Sequence, residues 1–205
     1  MASDCTEERL LLKVVSGGQT GVDRAALDAA LKVGLPIGGW CPGDRRAEDG
    51  QVPEKYPLLE TASRSYAVRT EWNVRDSDGT LILVLDRISS GTKLTLDSAR
   101  NQNKPVFVEY LAPARGRGLL SGENSADDQI HSVVDWLRRH KIRILNVAGP
   151  RGSSSAEVYP KAFSFMSRLL TVLCKPQRVA TKRKDNAEDV AATTTGTRRR
   201  RKKSS

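Results

Sequence analysis

Residues Lys13 to Gly34, "KVVSGGQTGVDRAALDAALKVG", run from a short apolar stretch through a glycine turn into an alanine-rich helical pattern. A helix that begins at such a turn has main-chain N–H groups without partners and carries the positive end of its dipole. Both features attract an anion. Gly17, Gly18, Gln19, Thr20 and Gly21 are therefore candidate phosphate contacts. The segment completes neither familiar nucleotide signature. Ser16 stands where the dinucleotide fingerprint begins with glycine, and "PIGGWCP", about twenty residues on, offers no acid for a ribose hydroxyl. "GQTGVD" lacks the lysine of a P-loop. Two readings stay open: backbone amides that hold phosphate, or a turn whose glycines only let strand and helix pack closely.

Two further small-residue turns could act in the same way. "SSGT" places Ser90, Gly91 and Thr92 ahead of a helix, and "AGPRGSSS" offers Gly149 and Ser153. In "WCPGDRRAEDG", Arg45 and Arg46 could clamp an oxyanion bidentately beside Glu48, or the loop's opposite charges, Asp49 included, could pair with one another in solvent. Cys41 lies close enough to these arginines for a lowered thiol pKa, against the more ordinary reading of a buried, inert thiol. "RTEWNVRDSD" sets Arg69 and Asn73 on one helical face and Glu71 and Arg75 on another. Such a set suits a phosphosugar site or a row of exposed ion pairs. His131 and His140 stand far along the chain and form no ligand cluster, so no metal ligated directly by the protein is expected.

The elements that must position these residues alternate. "LLKVV", Thr80 to Leu85, "PVFVEY" and "IRILNVAG" read as strands, with "LPIGGW" as a short one. Helical patterns follow the first, second and fourth of these. A helix capped by Ser63 runs to about Arg75, and "ADDQIHSVVDWLRRHK" turns Ile130, Val133, Val134 and Leu137 inward. The pattern predicts an α/β fold, a Rossmann-like three-layer sandwich with a mainly parallel sheet. Ligands of such sheets sit beyond the carboxyl ends of the strands, where all three turns belong. Their convergence argues more strongly than any one of them. "CPGDRRAEDGQVPEKYPLLE" is a long loop, of a length usually given to function.

At 205 residues the chain is long enough for one packed domain, and its apolar content of 38% is modest. We divide the chain into an N-terminal segment (1–10), a domain (11–174) and a basic tail (175–205). The tail holds eleven Lys and Arg against three acids, about +8 of the formal +10, and no aromatic residue. It reads as disordered. Its run Arg198 to Lys203 suits a polyanion such as RNA or a nuclear import receptor, or is a solvated tail with incidental affinity. Cys5, Cys41 and Cys174 suggest a reducing compartment. The acidic "MASDCTEERL" resembles no targeting peptide, and no apolar run approaches the roughly 20 residues of a membrane span. The expectation is a protein with no membrane contact, cytoplasmic or carried to the nucleus by its tail.

"SGGQTGVDRAALDAAL", "GGWCPGDRRAEDG", "YAVRTEWNVRDSDGTLILVL" and "SSGTKLTLDSAR", in this order, resemble the circularly permuted YpsA-type branch of the SLOG superfamily. Members carry the label of molybdenum carriers. The resemblance spans about residues 11 to 172. It implies a Rossmann-like sheet, a homo-oligomer, and a site for a nucleotide or a phosphorylated, nucleotide-like small molecule. In the carriers that ligand is the molybdenum cofactor, a pterin bearing a phosphate. The superfamily also includes the "lonely guy" phosphoribohydrolases, which pair an arginine with a glutamate in Pro-Gly-Gly-x-Gly-Thr-x-x-Glu. Arg69 matches that arginine, and Gly91 and Thr92 match Gly-Thr, but Thr95 occupies the glutamate position. A hydroxyl cannot exchange a proton near neutrality as a carboxylate does. Hydrolysis of a nucleoside monophosphate would then need Glu71, or Glu48 and Asp49, with Arg69 and Glu71 as the catalytic candidates. The leading expectation is a binding protein or carrier, the rival is that hydrolase, and a weaker third is an RNA-associated sensor tethered by its tail.

Overall fold

Nine short strands and five helices account for most of the residues described in the computed structural model, 10–111 and 126–174. The strands are β1 (Lys13–Val15), β2 (Ile37–Gly38), β3 (Trp40–Cys41), β4 (Arg46–Ala47), β5 (Gly50–Gln51), β6 (Leu59–Glu60), β7 (Gly79–Val84), β8 (Val106–Tyr110) and β9 (Ile144–Ala148). The helices are α1 (Val22–Lys32), α2 (Tyr66–Arg75), α3 (Ser90–Asn101), α4 (Ala126–Arg139) and α5 (Val158–Cys174). Cys5, nearly all of the N-terminal segment and the basic tail lie outside the described residues. Among the described residues no helix is long and apolar enough to cross a membrane.

The central sheet is parallel throughout, in the order β2–β1–β9–β7–β8. Its strands are apolar on both faces because both faces are covered, as a parallel sheet requires. Val14, Leu81, Leu83, Leu145 and Val147 pack with α1, α4 and α5 in the main core. On the opposite face Ile82 and Val84 pack against Leu96 of α3, and α2 lies beside α3. This is the three-layer α/β sandwich that the alternating pattern predicts. Ile130, Val133, Val134 and Leu137 are buried, as the period of α4 requires. A fully buried side chain such as Leu137 or Leu169 contributes roughly 1.5–3 kcal/mol.

Two boundaries differ from expectation. The cap of α2 is Ser65, whose Oγ accepts the Ala67 N–H, while Ser63 Oγ accepts from the Ser65 N–H one step earlier. "LPIGGW" divides at Gly39 between β2, in the central sheet, and β3, which pairs with β6.

The long loop is ordered by its own small core and by one arginine. Leu58, Val52, Tyr56, Ala47 and Cys41 gather on Leu27 of α1, and β4 and β5 form a minimal hairpin. Arg45 donates from Nε to the Val52 carbonyl, from Nη1 to that of Leu58, and from Nη2 to those of Pro53 and Tyr56, at 2.9–3.2 Å. Its fork is spent on main-chain carbonyls, which corrects its reading as half of an oxyanion clamp.

Candidate functional site

Helix α2 is fixed to β3 by a two-way amide contact. Asn73 Oδ1 accepts the Trp40 N–H at 2.9 Å, and its Nδ2 donates to the Trp40 carbonyl at 2.8 Å. Trp72 meets Trp40 edge-on, with centroids 4.7 Å apart. Asn73 therefore holds the scaffold together and does not line the main cavity. One turn earlier on α2, Arg69 reaches over the glycine turn that precedes α1.

There the carboxyl ends of β1, β7 and β9 open on a cavity of about 330 Å3. The first turn contributes Gln19 and Asp23, the second Ser89, Ser90, Gly91 and Thr95, the third Ala148, Gly149, Arg151 and Ser154. Tyr66, Arg69 and Thr70 of α2 and Leu94 of α3 complete the wall. All three sequence-predicted turns thus meet at one place, as do Gln19, Arg69, Ser90, Gly91 and Gly149.

Much of the main chain at these turns is already engaged. The Val22 N–H at the start of α1 donates to the Pro150 carbonyl, and Gly21, at φ 80°, is there because a Cβ would stand 2.5 Å from that oxygen. The Gln19 N–H goes to Asp23 Oδ2, and the Thr20 N–H to Gln19 Oε1. In the third turn the Gly152 N–H donates to Thr20 Oγ1, while Ser153 donates from both N and Oγ to the Glu48 carboxylate. The Thr20 hydroxyl also donates to Glu48. Thr20, Glu48 and Ser153 thus form a clasp between loops, and none lines the cavity. Gly18, at φ 73°, packs beneath Leu58 and Val52. The α3 turn is more open. Ser89 Oγ caps the Thr92 N–H, which removes Thr92 from the candidates, but Ser90 and Gly91 begin a helix with no preceding turn to bond them.

The other charged candidates fall outside the cavity. Glu71 is exposed, with its charge acting on Arg75 and its main-chain carbonyl accepting from Gln102 Nε2 at 3.2 Å. Residues 69 and 71 are too close in sequence to share one side of a helix. Asp49 is held bidentately by Arg24 at 2.6 and 2.8 Å. Arg46 lies over the Tyr66 ring, 5.2 Å from its centroid, and Arg151 lies 4.6 Å from it. Cys41 is buried, and desolvation pushes its thiol up despite Arg45 nearby, so it is no thiolate nucleophile.

Gln19, Arg69 and Asp23 form a polar cluster in the wall. Gln19 is 3% exposed, and its Oε1 accepts from the Thr20 and Glu48 N–H groups. Those two donors fix which way the amide faces, and Nε2 is left buried without a partner. Arg69 Nε is also buried and unpaired, while Nη1 lies 3.3 Å from Asp23 Oδ2. Asp23 is the carboxylate of the wall. Burial pushes its carboxyl above the usual range, against the pull of Arg69, the Gln19 N–H, Ser16 and Arg151. Asp23, Tyr66, Thr70 and Leu94 line the wall without standing among the sequence candidates. Only the position of Asp23, directly after the glycine turn, hinted at its place.

Fold and cavity together define a Rossmann-like α/β protein with a donor-rich crevice at the carboxyl ends of its strands. The sequence model described as the circularly permutated YpsA SLOG family matches residues 14–170, and the chain belongs to that family. It is similar to the 1.45 Å crystal structure of the "Putative molybdenum carrier protein" from Syntrophus aciditrophicus SB. The two are 40% identical over 79% of this chain and 96% of that one, with a TM-score of 0.71. No curated protein matches the chain.

Proposed function

We propose that the chain is a binding protein for a phosphorylated, nucleotide-like small molecule, and that the molybdenum cofactor is the ligand it carries. The observation that supports this reading is the pair of buried donors without partners, Gln19 Nε2 and Arg69 Nε, in one cavity wall. A buried donor left unpaired costs about 1–3 kcal/mol, so its persistence argues for a guest that accepts from it. Such a guest is rich in oxygen, as a phosphate or a pterin carbonyl is. Arg69 and Arg151 would supply positive charge, and the N–H groups of Ser90 and Gly91 a helix N-terminus. Tyr66 and Leu94 would offer apolar surface to a planar ring. The chain would shelter its guest and do no chemistry on it.

The hydrolase reading has weaker support. Thr95 lines the wall where that mechanism needs a carboxylate, Glu71 and Glu48 lie elsewhere, and Asp23 faces Arg69. The test is retention of the molybdenum cofactor and of a panel of nucleoside monophosphates at micromolar concentrations, by the chain and by Arg69→Glu. Retention lost in the variant supports the reading. No retention of any of them, with the variant behaving identically, rejects it. Release of free base with turnover would favour the hydrolase. The same reading includes a homo-oligomer, checked by solution mass, and a polyanion or import-receptor contact through residues 175–205, checked by RNA and receptor retention with that tail removed.

A further inference from the structure

Asp23 enters the cavity from the first turn of α1 with only 4% of its side chain exposed. Its Oδ2 accepts the Gln19 N–H at 3.2 Å and stands 3.3 Å from Arg69 Nη1. The arginine that an anionic guest would seek is therefore already facing an internal anion. The groups that surround Asp23 leave little else to balance a second negative charge. Arg69 and Tyr66 face it from α2, and Arg151 from the turn after β9. The turn before α1 offers neutral Ser16 and Gln19, and α3 offers neutral Ser89, Ser90 and Thr95. Arg24, its neighbour on α1, is committed to Asp49.

We infer that Asp23 is the built-in competitor of this site, and that a doubly charged oxyanion enters the cavity together with one proton, which Asp23 receives. The inference rests on the reading that the cavity holds oxyanions. A dianion confined with Asp23 in about 330 Å3 would share the attraction of two guanidinium groups with it. In a desolvated wall, like charges at such range do not both persist, and beside a sulfate-like dianion the Asp23 carboxylate is the stronger base, so it takes the proton. The proton comes from solvent to a carboxyl oxygen of Asp23, the Arg69 contact passes to the guest, and no covalent bond in the guest changes. Burial already holds this carboxyl above its ordinary range, so the guest has only to extend a shift that is present.

The sign follows from linkage. If the bound state holds more protons than the free state, acid favours binding. Affinity is flat below the free-state pKa of Asp23, falls by up to about tenfold per pH unit between the free and bound values, and is flat again above them. Neutral guests escape this dependence.

Sulfate is the probe, because it keeps two charges from about pH 5 to pH 9 and adds no titration of its own. Its affinity for the full chain is measured by calorimetry across that range at fixed ionic strength, and at one pH in buffers of different ionisation enthalpy. The expected result is weakening as pH rises, uptake of a proton fraction that approaches one per sulfate, and loss of both in Asp23→Asn. Sulfate that binds equally at every pH without proton uptake overturns the inference and leaves the oxyanion site standing. Sulfate that binds at no pH overturns both. The buffer series uses the unaltered chain, so the proton count stands even if Asp23→Asn fails to fold.

Discussion

Arg69 fills the space that any side chain at residue 17 would need: a Cβ on Gly17 would stand 1.8 Å from Nη1 and 2.3 Å from Cζ. The glycine is there for room, since its own backbone is not in the left-handed region. Gly17→Ala should drive the guanidinium away from Asp23 and out of register with Gln19. We expect a loss of about 1–3 kcal/mol in urea denaturation and at least about tenfold weaker sulfate binding. Gly34→Ala is the control. It strains φ 66° at the end of α1 with open space around it, and should cost about 1 kcal/mol without touching the cavity.

Arg45 serves the loop and not the ligand. Lysine keeps the charge but cannot reach four carbonyls with one ammonium. Arg45→Lys should lose roughly 2–4 kcal/mol in urea denaturation, with sulfate affinity in the folded protein unchanged.

Asn73→Ala removes both contacts with the Trp40 main chain and leaves its N–H and carbonyl without their partner. The expected cost is roughly 2–4 kcal/mol, followed by tryptophan fluorescence during unfolding.

Glu48 should make the clasp sensitive to acid. Desolvation pushes its carboxyl up, but hydrogen bonds from Ser153 and Thr20 outweigh that and hold it below the ordinary value. A group lowered on folding contributes stability above its unfolded pKa and loses it as pH falls through the folded one. The difference in melting temperature between the chain and Glu48→Gln should be widest near neutrality. It should close as pH drops from about 5 through about 4 and below.

The sheet and helices were legible because each rests on local periodicity. Val133 and Leu137 announce the buried side of α4, and Thr80 to Leu85 is continuous enough to be a central strand. Topology then brings the three turns together without any knowledge of contacts. What the turns do with their amides was not legible, since the groups that occupy them arrive from far away. Glu48 reaches Ser153 across 105 positions, and Thr20 reaches Gly152 across 132. Asp23 was hidden for a related reason. In sequence it reads as an acid that suits the first turn of any helix, and only the packing of α2 over it makes it a wall of the cavity. Arg45 and Arg46 look equivalent as neighbours, yet one is threaded among carbonyls and the other lies on Tyr66.

The place of β9 has a consequence for synthesis. It is the last strand among the described residues, yet it lies between β1 and β7, with Leu145 opposite both Val14 and Gly79. While the ribosome has made only the first 140 residues, β1–β2 and β7–β8 can exist only as two separate ribbons, each with a raw edge facing the gap between them. Contacts that join distant parts of a chain form slowly, and exposed edges recruit strange partners meanwhile. Until β9 is made, the nascent protein lacks the strand that joins its halves, and chaperone contact should end only once that keystone has emerged.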